Sequence, residues 1–514
     1  MGTANRVVKN TGILYVKMGI TVFISLYTTR LILAALGVND FGIYNVVGGA
    51  IAMLTFLNNA MSTATQRFMS FAEGAGDHDK QRSIFNVSIV LHFLIAVIIF
   101  FILEFAGHFL FNGVLKIPID RIASAKMVYQ FMVISTLFTI ISVPYDAVIN
   151  AHENMLLYSI LGVLESLFKL GIAIYISNAP YDKLSTYGLL TALLSILLLF
   201  IRRFYCSRYY DECKINIGKY FKKKIFLELT HFAGWSFLGA STSMITNYGQ
   251  GILMNIFFGP VVNTAQGIAN QVSGQLGTFA GTMQKALNPI IAKSEGAGER
   301  NLMLKAATMG SKVSFFLLMV FCIPIIIEMP YVFDFWLKDV PEYAIIFCRL
   351  LLIKNLIDQL FITLTVSISA VGKIKRFQIF MSIIHILPIF FAYGFFLMDY
   401  PPYSIYIIFW VYSFFGAILT LYFAKVLCNL SIKDYLLNVV SRCVLTFFII
   451  ISICYLPTLL LKESIIRLTI VVSLNLFLFI GIGWFVGFSN SERTQIFSFL
   501  KNGLKKFKKK QLTH

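Results

Sequence analysis

Lys17 and Lys285 each stand about seven residues inside the end of an apolar segment, which at 1.5 Å per helical residue places both roughly 10 Å deep and at one level. Two ammonium groups at equal depth suit a diphosphate, which accepts charge-assisted hydrogen bonds from each. A lysine at that depth can also snorkel to the nearer interface, so both readings stand. Amides and small residues surround them. Asn45, Gly48, Ala52, Thr55, Asn59, Ser62 and Gln66 alternate spacings of three and four, which puts all of them on one helix face. Gly267, Asn270, Gly274, Gly277, Gly281, Gln284 and Asn288 repeat that face later in the chain. Lys17, Thr21, Ser25 and Thr28 form a third stripe, matched by Gly239, Ser243, Asn247 and Gln250. The small residues fit close helix packing. Asn59, Asn247, Gln250, Asn270 and Gln284 together point to a water-filled cleft, since amides facing lipid would be costly.

Ionisable residues inside a membrane span cost about 2.5 to 3.5 kcal/mol each, so each needs a partner or a purpose. Arg30 lies about 140° around the helix from Lys17 and serves either the outer end of a path or the outer interface. Glu165 and Lys169, and Lys354 and Asp358, are four apart and so can pair on one helix face. Asp146 follows Pro144, and a proline frees helix carbonyls that can join a carboxylate in holding a cation or proton. Asp146, Glu165 and Asp358 are therefore the candidate ion-coupling residues, with structural pairing as the alternative.

The elements that must position these groups are membrane helices. Of 514 residues, 58% are hydrophobic and 13% charged, and the mean hydropathy is +0.78, more apolar surface than a soluble core can hide. About 14 segments reach the roughly 20 residues needed to cross hydrocarbon. They cover 11–36, 41–66, 84–106, 125–149, 156–177, 184–204, 229–258, 262–292, 307–328, 343–370, 376–397, 403–427, 438–459 and 464–488. Residues 12–76 and 234–298 repeat one pattern at an offset of about 222, aligning Gly12 with Gly234, Gly37 with Gly259, and Glu73-Gly74-Ala75-Gly76 with Glu295-Gly296-Ala297-Gly298. The last pair fits helix ends capped by glycine better than ligand loops.

The expected fold is an all-α polytopic membrane protein of two pseudo-symmetric six-helix lobes plus a C-terminal helix pair. The first lobe covers 1–205, a basic linker 206–228, the second lobe 229–427, the helix pair 428–490 and a basic tail 491–514. With both termini cytoplasmic, about 29 of the 43 basic residues fall in cytoplasmic segments. The basic stretches at 202–224 and 501–510 fit anionic membrane lipid better than nucleic acid, because each adjoins a membrane helix.

Other chemistries find no support in the sequence. The first apolar segment is too long for a signal peptide. The seven cysteines form no CxxC, no two histidines share ligand spacing on a helix, and no phosphate loop precedes Lys-Ser or Lys-Thr, so no metal, cofactor or ATP engine is expected. Loops are short, the longest outer one at about 107–124, which leaves no room for a catalytic surface outside the membrane.

Leu26-Tyr27-Thr28-Thr29-Arg30, Leu36-Gly37-Val38-Asn39-Asp40-Phe41-Gly42-Ile43-Tyr44-Asn45-Val46-Val47-Gly48-Gly49 and Ala64-Thr65-Gln66-Arg67-Phe68 resemble the polysaccharide flippases of the multidrug/oligosaccharidyl-lipid/polysaccharide exporter superfamily, in particular the Wzx-like O-antigen transporters. The resemblance implies a carrier that alternates between inward and outward openings and moves undecaprenyl-diphosphate-linked oligosaccharide across a bacterial inner membrane. It also implies polysaccharide assembly proteins as partners. Related lipid II flippases hold the diphosphate on cavity cations, largely arginines, where this chain has Lys17 and Lys285. The expected substrate-binding set is Lys17, Arg30, Asn59, Gln66, Asn247, Gln250, Asn270, Gln284 and Lys285. Moving about two negative charges outward across about 100 mV releases about 4 to 5 kcal/mol, so the membrane potential alone can bias such a cycle. A MATE-like drug antiporter and a lipid II flippase are the alternatives. A membrane glycosyltransferase, polymerase or ligase would need outer-loop carboxylates that the sequence lacks.

Overall fold

A computed structural model describes residues 3–52, 55–111, 117–336, 340–490 and 492–494, and no strand occurs among them. The first series of helices is α1 (Thr3–Ala52), α2 (Thr55–Ala75), α3 (His78–Phe109), α4 (Ile122–Ala151), α5 (Met155–Ser177) and α6 (Lys183–Tyr209). A short α7 (Ile217–Tyr220) leads into α8 (Lys223–Gly296), α9 (Arg300–Trp336), α10 (Ala344–Gln359), α11 (Ile362–Val371), α12 (Lys375–Leu397) and α13 (Ser404–Cys428). The chain continues through α14 (Ile432–Tyr435), α15 (Ser441–Leu460), α16 (Ile465–Leu478) and a π-helical stretch, Phe479–Gly487. Most of the basic tail from 491 onward lies outside the described residues.

Ten helical stretches among the described residues are long and apolar enough to cross a membrane. The other expected spans, 41–66, 229–258, 262–292 and 343–370, are helical where described but less uniformly apolar. Three of them carry the amide and glycine stripes. The fourth is interrupted at 360–361, between α10 and α11.

The repeated glycines have a backbone reason. α1 turns a corner at Gly37 (φ 74°, ψ 170°) and α8 turns one at Gly259 (φ 78°, ψ −173°). That region of backbone space is essentially closed to residues with a Cβ, so the two repeats use the same glycine-only corner at equivalent points. The ends of the repeated stretch also match. Asp77 N–H donates to the Ala72 carbonyl at 3.1 Å and Gly76 N–H to that of Glu73 at 3.2 Å. Glu299 N–H donates to Ser294 at 2.9 Å and Gly298 N–H to Glu295 at 3.0 Å, the same pair of capping bonds.

The chain divides into two compact units. The first comprises residues 10–241 and 292–299, and its core gathers Ile32, Ile43, Val47, Ile99, Val128 and Tyr129 from α1, α3 and α4. Along α3 the large side chains Phe93, Phe101 and Phe105 stay exposed, a surface suited to hydrocarbon. The second unit comprises 1–9, 242–291 and 300–514, and its α13 exposes Phe414, Phe415 and Ile418 in the same way. Two ion pairs, one buried and one partly buried, join the last described part of the chain to α9. Arg467 of α16 grips Glu328 through Nε at 2.9 Å and Nη2 at 2.8 Å, and Lys312 reaches Glu492 at 2.8 Å.

Candidate functional site

A cavity of about 420 Å³ opens inside the second unit, walled by α8, α10, α11, α12 and α13. Ser243, Asn247 and Gln250 reach it from α8 before the Gly259 corner, and Asn270 reaches it from beyond the corner. Spacings of four and three keep the first three on one face, so the stripe read from the sequence becomes a wall. Opposite stand Lys354 and Asp358 of α10, His385 of α12, and Tyr406, Tyr412 and Thr420 of α13. Lys354 Nζ donates to Asp358 Oδ2 at 2.6 Å, the i,i+4 pair expected from spacing.

Hydrogen bonds fix α8 against α12. Thr246 Oγ1 donates to the His385 carbonyl at 2.7 Å, in the turn ahead of Pro388, whose missing amide hydrogen leaves the neighbouring Ile384 carbonyl without its helical donor. Ser243 Oγ lies 3.3 Å from His385 Nδ1. The Tyr406 hydroxyl and the Gln250 side-chain amide, both buried, face each other in the cavity wall.

Asn247, Gln250, Asn270 and Asp358, scattered over more than a hundred positions, thus meet at one cavity. His385, Tyr406 and Tyr412 line it too and escaped the sequence reading. A lone histidine or tyrosine in an apolar helix resembles core, and only Pro388 three residues on marks the His385 turn as unusual. Gln284, also on α8, instead donates to Gln359 at 3.2 Å, and Asn355 donates to Ser273 at 2.7 Å. Lys285 is exposed.

The remaining residues belong to the first unit. Lys17 lays its stem across Gly162, where a Cβ would fall 2.3 Å from Cε, and its Nζ stands 4.5 Å from the Tyr158 ring centre. Asp146 pairs with Arg202 at 2.9 Å, and Glu165 with Lys169 at 2.7 Å. Arg30 is exposed and Gln66 half-buried, whereas the side chain of Asn59 lies outside the described residues. Arg67, beside Gln66, sits over the rings of Phe68, Phe71 and Phe232 at 4.5 to 5.2 Å, which makes this motif a packing joint.

A second polar cluster lies at the ends of the helices in the first unit. Here α2 crosses residues 292–296 so closely that a Cβ on Gly74 would sit 1.8 Å from the Lys293 carbonyl oxygen, and one on Gly296 1.9 Å from that of Phe71. Each repeated Glu-Gly-Ala-Gly therefore receives the other's backbone. Glu73 gathers Gln81 Nε2 at 2.5 Å, Lys293 Nζ at 3.3 Å and His152 Nδ1 at 3.3 Å, while His152 Nε2 donates to Glu212 at 2.5 Å. The hydrogen bond from His152, aided by Gln81 and Lys293 against the cost of burial, lowers the Glu73 carboxyl to about 2. Burial opposes the His152 charge, but its bonds to Glu212 and Glu73 prevail and raise the imidazole to about 9.

With this geometry in view, the likenesses to known proteins are informative. Residues 16–176 match the family model described as MatE. Among solved structures, the outward-facing conformation of a multidrug resistance MATE family transporter of the MOP superfamily aligns with a TM-score of 0.70 at 13% identity, covering 84% of this chain and 97% of that one. A MATE crystal structure in the bent conformation aligns with a TM-score of 0.70 at 13% identity, covering 82% and 95%. A MOP superfamily transporter from Pyrococcus furiosus, described as having a binding pocket of reverse polarity that suggests a different function, aligns with a TM-score of 0.67 at 11% identity, covering 84% and 98%. No curated protein matches the sequence. The chain has the all-helical fold of the MATE transporters.

Proposed function

We propose that the protein is a transporter rather than an enzyme, and that it carries an undecaprenyl-diphosphate-linked oligosaccharide from the inner to the outer leaflet of a bacterial inner membrane by alternating access. Fourteen crossings with both termini cytoplasmic complete the proposal, on the strength of the basic skew in the sequence. The observation that carries the reading is the cavity of the second unit. Asn247, Gln250 and Asn270 offer neutral donors and acceptors to sugar hydroxyls, and Tyr406 and Tyr412 offer rings with polar tips. A sugar headgroup cannot enter hydrocarbon unassisted, whereas its polyprenyl tail can stay in lipid. Lys17 and Lys285 are the proposed diphosphate ligands, each by a charge-assisted bond.

A small-molecule antiporter remains a second reading because one carboxylate, Asp358, does line the cavity. Its pairing with Lys354 at 2.6 Å leaves it less available to a cationic cargo. Purified protein in vesicles separates the two readings. Fluorescent undecaprenyl-diphosphate oligosaccharide placed in one leaflet should reach the other, and a lipophilic cation should not move in response to a Na⁺ or H⁺ gradient. Cation movement without transfer of the lipid-linked sugar would reverse the assignment.

A further inference from the structure

The segment joining α6 to α8 is built like a fixed surface rather than a loose tether. Asn86 of α3, fully buried, donates to the Lys214 carbonyl at 3.2 Å and accepts from Asn216 N–H at 2.8 Å, clamping the strand of chain between them. Glu212 and Cys213 are buried beneath it, with Glu212 held by His152. Asn216 then caps α7, accepting from Lys219 N–H at 3.1 Å, while Tyr220 receives Arg82 and Lys219 near its ring.

This rigid base presents two kinds of side chain to the outside. Ile215, Ile217 and Phe221 are 38 to 44% exposed, large apolar groups on a segment that would gain nothing from them in water. Lys219, Lys222, Lys223 and Lys224 are exposed beside them and have no ion-pair partner among the described residues, whereas Lys214 is taken by Asp211 at 2.7 Å. The segment leaves the apolar span of α6, so it emerges at a membrane surface. Apolar groups that enter the headgroup layer and unpaired ammonium groups that neutralise phosphates form one complementary set.

We infer that residues 214–224 dock on anionic phospholipid headgroups, with Ile215, Ile217 and Phe221 inserted among the lipids and Lys219, Lys222, Lys223 and Lys224 held at their phosphates. The inference is independent of the cargo. Docking would anchor the junction between the two repeats to the leaflet surface, so that its lipid composition acts on the conformation of the chain.

The full-length protein in nanodiscs tests it, by comparing discs of phosphatidylcholine with discs of equal phosphatidylcholine and phosphatidylglycerol. Hydrogen exchange at the amides of 214–224 should slow in the anionic discs, by about fivefold for each lysine engaged, and the slowing should fade at 1 M salt, where screening is about 3 Å. Lys219→Gln with Lys222→Gln, Lys223→Gln and Lys224→Gln should abolish the difference while the unfolding temperature stays that of the parent, since all four side chains are exposed. Equal exchange in both discs, or slowing that survives salt or the fourfold substitution, would overturn the inference.

Discussion

The interiors of the two units share a helical plan and differ in chemistry. In the first unit two ion pairs tie ionisable groups of the spanning helices together, Asp146 with Arg202 and Glu165 with Lys169, and Lys17 Nζ stands over the Tyr158 ring. In the second the cavity is lined mainly by neutral amides, hydroxyls and aromatic rings, with a single ion pair, Lys354–Asp358, among the described residues. Two further pairs of this unit, the buried Glu328–Arg467 and the partly buried Lys312–Glu492, tie the last described part of the chain to α9. Duplication therefore preserved the backbone devices, the Gly37 and Gly259 corners and the paired glycine caps, while the side chains between them diverged. Stability and transport should accordingly be separable by substitution.

The largest expected effect is at the helix crossing. Gly74→Val or Gly296→Val forces a side chain into a backbone carbonyl and should cost about 3 kcal/mol or more, read as loss of folded protein in detergent. Gly281→Ala, whose added Cβ meets nothing within 4 Å, should leave unfolding unchanged or slightly raised. A comparable loss from both would erase the distinction between crossing and stripe. Next comes Glu328→Ala, which takes the bidentate partner from the buried Arg467 guanidinium, leaves it the Leu461 carbonyl at 3.2 Å and Glu463 at 3.7 Å, and should cost about 3 kcal/mol. Asp146→Ala should cost less, because that pair is partly exposed, and the order of the two unfolding midpoints checks this.

Smaller and equal effects are expected at the corners. Gly37→Ala and Gly259→Ala should each cost about 1 to 3 kcal/mol, and a large inequality would show that the corners are not equivalent. A pH dependence confined to the first unit is also expected. His152 is raised from 6.5 to about 9, so its stabilising contribution is complete below 6.5 and is lost as pH rises through 9. Glu73 is lowered from 4.5 to about 2, so its contribution is complete above 4.5 and is lost as pH falls through 2. The unfolding temperature of His152→Gln should fall furthest below the parent between pH 4.5 and 6.5, and the gap should close above pH 9.

Much of the helical plan was legible because hydropathy and the repeated glycines are local signals. The offset between Gly37 and Gly259 pointed to duplication, although only their dihedral angles explain why glycine is required. Asn247, Gln250, Asn270 and Asp358 were legible as polar exceptions on apolar helices, and they share a cavity. His385, Tyr406 and Tyr412 were not, since their role depends on which helices face α8, a long-range fact that periodicity does not carry. The partners of Lys17 and Asp146 were hidden for the same reason. Gly162 and Tyr158 on α5 and Arg202 on α6 are ordinary until the helices are packed. The Glu-Gly-Ala-Gly pair read as caps, and its second use, as a reciprocal backbone crossing, needed both copies to be seen together.

The most direct test of the central claim is the rate at which vesicles containing Asn247→Ala with Gln250→Ala and Asn270→Ala transfer undecaprenyl-diphosphate oligosaccharide, measured beside the parent protein. The account predicts a loss of about tenfold or more, as expected for removing hydrogen bonds worth about 1 kcal/mol each, at an unfolding temperature close to the parent's. Transfer at the parental rate by a folded triple variant would contradict it.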